Sequence, residues 1–302
     1  MIILLINALM ESFVKSWAAE VEFEKEGPLR RLIKKLLVNP FANYMPAGFL
    51  KAILRWSKSE LAAANWADPG GWRSMAISYD GRPKQIADKI LVGTGAVPMA
   101  LRNRRRLAAR LLAGLIDESD HRPPHILCLG AGAGQIIIDA MSQATAEARA
   151  TLVDLNPDAF GYGRKLAASA GLTDKIRFIV ADVRDVGRLL DEPPHIVKMV
   201  GILEYLTDEQ IASIVQAASQ VMPPGAYVVY NNLSKAHGMD RFFRRVFGLH
   251  MIHRSLRQLE GLMSQAGLTD FISIPEPLGV YHVVVARKPG PPSARAERKT
   301  HA

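Results

Sequence analysis

Short apolar runs alternate with longer amphipathic stretches from Pro123 onward. The runs predict strands over residues 125–129, 150–155, 176–183, 195–200 and 226–230, with helices between them. Parallel neighbouring strands need a helical crossover, so this alternation predicts a Rossmann-like, doubly wound parallel α/β sheet. Two more apolar runs, 271–274 and 281–286, flank a turn that contains Pro and Gly, and they predict a terminal antiparallel hairpin.

Two of the predicted helices begin with a recognisable capping pattern. Thr207 is followed three residues later by Gln210, and Ser255 is followed in the same way by Gln258. In such a capping box the hydroxyl and the amide side chain each satisfy a backbone N–H of the first turn. We therefore predict helices that start at these residues.

The first third of the chain predicts a helical N-terminal segment. In residues 28–38 an apolar stripe (Leu29, Leu32, Ile33, Leu36 and Leu37) lies opposite a basic one (Arg30, Arg31, Lys34 and Lys35). This helix either packs on the core domain with its charged face in solvent, or lies at an interface with anionic membrane or a lipid-like substrate. We predict three parts: residues 1–97 as a helical cap, 98–288 as the α/β domain, and 289–302 as a disordered basic tail.

Composition narrows the class of protein. No run among the 302 residues is apolar enough to span a bilayer, and residues 1–10, although apolar, lack the basic start of a signal peptide. The single cysteine excludes a disulfide framework and a cysteine-based zinc site, which favours a cytoplasmic location. A net charge of +9 is compatible with nucleic-acid binding, but the basic residues are spread along the chain. We therefore do not expect nucleic acid as a partner. The oligomeric state stays open.

A glycine-rich turn follows the first predicted strand. The stretch "LCLGAGAGQ" places Gly130, Gly132 and Gly134 two residues apart, and Gln135 stands where a dinucleotide fingerprint needs glycine. Such a turn lets a nucleotide-like ligand approach the backbone closely. Asp154 ends the second strand, where a carboxylate can accept from ribose hydroxyls, and Asp182 ends the third, where it can accept from an adenine amino group. Each aspartate taken alone also suits a turn or a helix cap.

The G-x-G-x-G pattern resembles the first motif of class I S-adenosylmethionine-dependent methyltransferases. The resemblance covers about residues 102–288 and includes "GILEYL" at 201–206, "MPPGAYVVYNN" at 222–232 and the terminal hairpin. It implies S-adenosylmethionine as the cofactor. More narrowly, the chain is similar to bacterial methyltransferases of which some are fused to lipase-like hydrolases. The resemblance implies the following cofactor contacts: Gly130, Ala131, Gly132, Gly134, Asp154, Leu155, Asp182, Val183, Gly201, and Tyr79 over the methionine end.

One position departs from the family pattern. Most relatives carry an acid two residues before the first glycine, where this chain has Cys128. The acid helps to arrange the loop and the methionine amino group, and Glu204 or a backbone carbonyl near Gly201 could take its place. A buried strand cysteine is usually a small apolar residue, so we do not expect Cys128 to be a nucleophile.

Candidates for chemistry follow the fourth and fifth strands. Methyl transfer is an in-line displacement in which the protein aligns the acceptor and, where needed, removes a proton. The catalytic candidates are Glu204, Tyr205 and His237, and the substrate-side candidates are Asn231, Asn232 and Asp240. A helix-entry acid, a packed aromatic and turn-forming asparagines are the structural alternatives. The sequence has no close cluster of acids and histidines near the predicted strand ends, so we do not expect a metal site.

We expect a small-molecule or lipid-like acceptor, with peripheral membrane contact as a further option. No [DN]-P-P-[YFW] motif follows the fourth strand, which argues against methylation of exocyclic amines of bases by that route. Three alternatives remain open: transfer of a larger group from the same cofactor, RNA methylation, and cofactor binding without chemistry.

Overall fold

A computed structural model describes residues 2–290 of the chain. Seven strands form its sheet: β1 (His125–Leu129), β2 (Arg149–Asp154), β3 (Ile176–Val180), β4 (Ile196–Met199), β5 (Tyr227–Leu233), β6 (Thr269–Pro275) and β7 (Tyr281–Arg287). The N-terminal helices are α1 (Ile2–Ala19), α2 (Pro28–Ile33), α3 (Asn39–Tyr44), α4 (Ala47–Trp56), α5 (Glu60–Ala67), α6 (Trp72–Asp80) and α7 (Ile86–Thr94). They are followed by α8 (Ala96–Glu118), α9 (Gln135–Gln143), α10 (Pro157–Ser169), α11 (Val186–Leu189), α12 (Asp208–Val221), α13 (Asp240–Phe242) and α14 (Leu256–Gln265).

The sheet has the order β3-β2-β1-β4-β5-β7-β6. Strands β1 to β5 pair in parallel, whereas β7 pairs antiparallel with both β5 and β6. The predicted doubly wound sheet with a terminal hairpin is therefore confirmed. The order reverses between β1 and β4, so their carboxyl ends open a crevice of the kind that binds ligands in such sheets.

Several strands differ in length from the prediction, and the differences at β3 and β5 lie next to the site. Strand β5 continues to Leu233 because β7 supplies pairing partners up to the pair Leu233 and Tyr281. Strand β3 ends at Val180, and not at residue 183, because the chain turns there into a 3₁₀ turn, Val183–Asp185. Both differences bear on the site, since they move residues at the carboxyl edge of the sheet.

Apolar layers cover both faces of the sheet. On one face α1, α8, α9 and α10 bury side chains against β1 and β2; on the other, α12 and α14 do so against β4 and β5. Both predicted capping boxes are confirmed. The N–H of Gln210 donates to Thr207 Oγ1 over 3.3 Å, and Gln258 with Ser255 forms the same reciprocal pair.

Helices α3, α4 and α5 pack on the chain that follows β5, whereas α1, α6 and α7 pack on α8. Leu50, Leu54, Phe242 and Phe247 belong to one apolar cluster that joins α4 to this later segment. Residues 28–38 behave differently: α2 and the π-helical turn Lys34–Val38 bury no residue. The interpretation that this helix packs on the core domain is therefore wrong. Among residues 2–290, no helix has the length and apolarity needed to cross a bilayer.

The predicted domain boundary at residues 97 and 98 falls in the first turn of α8, which begins at Ala96. Of the predicted tail 289–302, residues 291–302 lie outside the described part of the chain.

Candidate functional site

The glycine loop joins β1 to α9 through three residues with positive φ: +62° at Gly130, +54° at Gly132 and +76° at Gly134. A side chain at position 134 would also collide with the buried Leu152, since an added Cβ would lie 2.4 Å from Leu152 Cδ2. At Gly132 the nearest atom to an added Cβ is 3.8 Å away. The loop therefore packs tightly on the sheet at one end and leaves its backbone accessible at Gly132.

Asp154 fixes this loop from the end of β2. Its Oδ2 accepts from the N–H of Gly132 over 2.7 Å, and its Oδ1 accepts from the N–H of Asn156 over 3.0 Å. A carboxylate oxygen can accept a second hydrogen bond. Asp154 is thus held in place by the backbone and still offers acceptor capacity to a ligand.

Asp182 ends its strand as a cap. It accepts from the N–H of Arg184 over 2.9 Å and from the same residue's guanidinium over 3.0 Å. These bonds to Arg184 lower the pKa of the Asp182 carboxyl to about 2. The carboxylate therefore stays ionised at every physiological pH and faces the crevice beside Val183.

One cavity of about 490 Å³ occupies the crevice. Its lining includes every predicted cofactor contact and two of the three catalytic candidates: Tyr79, Gly130, Ala131, Gly132, Gly134, Asp154, Leu155, Asp182, Val183, Gly201, Glu204 and Tyr205. The remaining wall is mostly apolar and comes from the N-terminal helices and the segment after β5, including Leu61, Met75, Val97, Phe243, Phe247 and Met251. The polar and apolar walls therefore enclose one continuous space.

A buried ion pair belongs to the lining of this cavity. Arg104 of α8 donates from Nη1 to Glu204 Oε1 over 3.1 Å and from Nη2 to the Tyr79 hydroxyl over 3.1 Å. Glu204 Oε2 and Arg104 Nε have no hydrogen-bond partner although both are buried. A buried charged group without its full set of hydrogen bonds is costly, so these atoms are suited to pair with a polar ligand.

Cys128 and Lys198 face each other across β1 and β4, where they are register partners. Burial raises the pKa of the Cys128 thiol, and the hydrogen-bonded Lys198 offsets only part of this effect. Cys128 is therefore a protonated thiol near neutral pH and a poor nucleophile. Lys198 is 3% exposed and lines the cavity, so the chain places a cation beside the position of the usual acid.

Tyr205 lies next to Glu204 in the 3₁₀ turn Leu203–Tyr205. Burial of its phenol and the neighbouring Glu204 carboxylate raise the pKa of Tyr205 well above its ordinary value. The hydroxyl is therefore protonated near neutral pH and can donate a hydrogen bond.

Four predicted site residues do not line the cavity: His237, Asn231, Asn232 and Asp240. Asn231 accepts from the N–H of Gly201 over 2.6 Å, and Asn232 donates to the carbonyl of Arg254. The ring of His237 contacts His253, and Asp240 pairs with Arg244. Asn231 thus holds the loop that carries Gly201, and the other three stabilise the chain behind the cavity wall.

Sequence reasoning missed Arg104 and Lys198 as members of the site. The sequence did contain an indication for Lys198. A lysine inside the apolar strand "HIVKMV" must either be buried with a partner or point into a cavity. Arg104 was hidden in the basic run Arg102–Arg106, in which only the three-dimensional packing distinguishes one arginine from the next.

Comparison with known proteins agrees with this arrangement. Residues 126–225 match the family model of a methyltransferase domain. The comparison with curated proteins found no match. Three solved structures share the fold. A possible exported protein from Bordetella parapertussis has a TM-score of 0.63 at 16% identity, over 73% of this chain and 80% of that one.

The S-adenosylmethionine-dependent methyltransferase SibL has a TM-score of 0.52 at 18% identity, over 86% of this chain and 72% of that one. Magnesium protoporphyrin IX methyltransferase from Synechocystis, solved with S-adenosylhomocysteine bound, has a TM-score of 0.53 at 12% identity, over 79% of this chain and 99% of that one. These three likenesses concern the fold.

The sheet order, the glycine loop and the strand-end carboxylates form the arrangement in which α/β sheets of this kind bind nucleotide-like ligands. The domain match makes the class more specific: residues 126–225 form a methyltransferase domain, which supports an S-adenosylmethionine-dependent methyltransferase with S-adenosylmethionine as its cofactor. The residues present suit that cofactor, because an anchored carboxylate, a glycine loop that a ligand can approach closely and unpartnered charged atoms share one cavity.

Proposed function

We propose that the enzyme methylates an apolar small molecule or a lipid-like acceptor. One observation supports this above all: the polar crevice at Gly132 and Asp154 continues into a space walled by apolar residues such as Leu61, Met75 and Phe243. Burial of apolar surface is the main source of affinity for such a ligand. The N-terminal helices then act as a cap over the acceptor, and the α/β domain, residues 98–288, binds the cofactor.

In this proposal the glycine loop and two carboxylates hold the adenosine part of the cofactor. Asp154 accepts from the ribose hydroxyls with the lone pairs that the backbone leaves free, with Leu155 beside it. Asp182 accepts from the adenine amino group, and Val183 packs against the ring. The cofactor supplies an activated methyl group on a sulfonium.

The methionine end would meet charges of both signs. Glu204 Oε2 is free to accept from the amino group, which replaces the missing acid at Cys128. Lys198 and Arg104 Nε provide positive charge for the carboxylate. Tyr79 and Gly201 complete this end of the cavity.

Catalysis in this site is chiefly alignment. A protonated Tyr205 can donate a hydrogen bond to the acceptor and so fix its orientation. Where the acceptor must lose a proton, the Glu204 carboxylate in the cavity lining can accept it. His237, Asn231, Asn232 and Asp240 support the wall and do not contact the acceptor. We also propose a cytoplasmic enzyme of small-molecule biosynthesis in a bacterium; the similarity to hydrolase-fused relatives stays a prediction.

Calorimetric titration with S-adenosylhomocysteine tests the cofactor site. We expect the wild type to bind with a micromolar Kd. Asp154→Ala should have an affinity about 100-fold lower, because two charge-assisted hydrogen bonds to the ligand disappear. Asp158→Ala is the matched control, since Asp158 is exposed on the next helix and does not line the cavity. Absence of binding by the wild type would refute the assignment.

Mass spectrometry of reactions with a panel of apolar alcohols, amines and acids tests the acceptor class. The product should gain the mass of one methyl group, whereas a larger gain would show transfer of another part of the cofactor. Glu204→Gln should weaken cofactor binding through the lost contact with the amino group, and it should reduce turnover further where Glu204 also takes a proton from the acceptor. Cofactor binding without a product from any acceptor would leave the protein a binding module.

A further inference from the structure

A broad apolar surface lies on the N-terminal helices, away from the cavity lining. It consists of Leu29, Leu32, Ile33, Leu36, Leu37, Val38, Phe41, Tyr44, Phe49, Ile53 and Trp56, which are 40% to 87% exposed. We call this set the N-terminal apolar surface. Soluble proteins rarely expose contiguous apolar patches of this kind unless the patch contacts a partner or a membrane.

Charge identifies the kind of partner. Residues 28–58 contain the basic side chains Arg30, Arg31, Lys34, Lys35, Lys51, Arg55 and Lys58, and no aspartate or glutamate. Glu26 pairs with Lys34 at the start of this stretch. The stretch that carries the apolar surface therefore has basic and no acidic side chains, and a complementary partner must be both apolar and anionic.

We propose that the N-terminal apolar surface docks on an anionic lipid bilayer. Leucines enter the acyl boundary, the lysines and arginines meet phosphate headgroups, and Trp56 and Tyr44 occupy the interface, where amphipathic aromatic rings are favoured. A second copy of the chain is a poorer occupant, because a two-fold contact would place one basic stretch against another.

The same helices adjoin the cavity wall. Asn43 of α3 accepts from the N–H of Phe242 over 2.9 Å and donates to the carbonyl of Gly238 over 2.8 Å. Phe243 and Phe247, which follow at once, line the cavity. Docking would therefore bring the bilayer next to the acceptor end of the site. This last step rests on the proposed function, whereas membrane binding does not.

Co-sedimentation with vesicles tests the proposal on the full chain without cofactor. We expect the protein to pellet with vesicles that contain phosphatidylglycerol and to stay in solution with phosphatidylcholine alone or at high salt. Leu36→Ser combined with Leu37→Ser should weaken binding about 100-fold, because each leucine contributes about tenfold through burial of its side chain. Both side chains are more than half exposed, so this variant should fold.

Two control variants make the result specific to this surface. Val180→Ser changes an exposed apolar residue of β3, and Arg257→Glu changes an exposed basic residue of α14; both should bind as the wild type does. Arg31→Glu combined with Lys35→Glu should lose at least about tenfold in affinity for anionic vesicles.

Three results would overturn the proposal. They are wild-type protein that stays in the supernatant with anionic vesicles, binding that survives in the Leu36→Ser, Leu37→Ser variant, and a dimer in light scattering that this variant abolishes while vesicle binding is absent. Titration with S-adenosylhomocysteine reports separately on the cofactor site, so failure here is distinguishable from failure of the proposed function.

Discussion

Gly134 is the residue of the loop at which an added methyl group has least room. Alanine there would adopt a φ of +76° and place its Cβ 2.4 Å from Cδ2 of the fully buried Leu152. Left-handed backbone costs about 1 kcal/mol for alanine, and overpacking a core adds about 2 kcal/mol. We expect Gly134→Ala to lower the free energy of unfolding by about 3 kcal/mol in chemical denaturation.

Gly171→Ala provides the comparison, because Gly171 has a φ of +69° but nothing within 4 Å of an added Cβ. The free energy of unfolding of Gly171→Ala should fall only by the cost of the left-handed backbone, about 1 kcal/mol. Equal losses in the two variants would show that Leu152 yields and that the loop is not packed as described.

His237 makes the stability of the protein depend on pH. Burial of its imidazole, aided by His253, lowers the pKa of His237 from 6.5 to about 4. Between these values the unfolded chain binds a proton that the folded chain does not, so the stabilising contribution is complete above about pH 6.5 and is lost as the pH falls towards 4. The full loss is about 3 kcal/mol.

Denaturant unfolding at a series of pH values measures this effect. The free energy of unfolding should fall less steeply with acidification in His237→Gln than in the wild type. The histidines that remain, such as His253 with its own lowered pKa, preserve part of the slope in both proteins. Identical slopes would mean that folding does not lower the pKa of His237.

At the scale of elements, α1 docks on α8 through a contact that requires glycine. Gly114 of α8 faces the ring of Trp17, and an added Cβ would lie 2.3 Å from Trp17 Cδ2. Alanine is favoured over glycine in a helix by about 1 kcal/mol, but displacing a packed ring costs about 1–3 kcal/mol. We expect Gly114→Ala to destabilise the protein by about 1 kcal/mol in denaturant unfolding.

Gly261→Ala in α14 is the matched control, since nothing lies within 4 Å of its added Cβ. It should stabilise the protein by about 1 kcal/mol, the opposite sign. A stabilising Gly114→Ala would show that α1 does not pack on α8 at this point.

The elements that the sequence predicted well have local causes. The capping boxes at Thr207 and Ser255 depend on residues three apart, and the parallel strands follow from short apolar runs. The glycine loop and the two strand-end aspartates converge because parallel strands end at one edge. Arg104 joined the site through a contact with a residue one hundred positions away, and His237 lies outside the cavity although its sequence position suggested otherwise. Such placements depend on tertiary packing, which no short pattern encodes.

At the scale of the whole molecule, the N-terminal segment and the α/β domain line the same cavity. Trp72 at the start of α6 stacks on Tyr162 of α10 with ring centroids 5.5 Å apart, next to Gly132. Tyr79 at the other end of α6 accepts a hydrogen bond from Arg104. A cofactor in this cavity should therefore order α6 together with the glycine loop.

Hydrogen exchange with and without S-adenosylhomocysteine tests this coupling. Ligand at about 100 times its Kd should stabilise the folded state by about 2.7 kcal/mol, and amides of both α6 and the loop at 130–134 should exchange more slowly. Amides of α14, which does not line the cavity, should change least, and Asp154→Ala should abolish the protection. Protection of the loop alone, with α6 unchanged, would mean that the N-terminal helices do not close over the cofactor, and the cap would then have to act on the acceptor only.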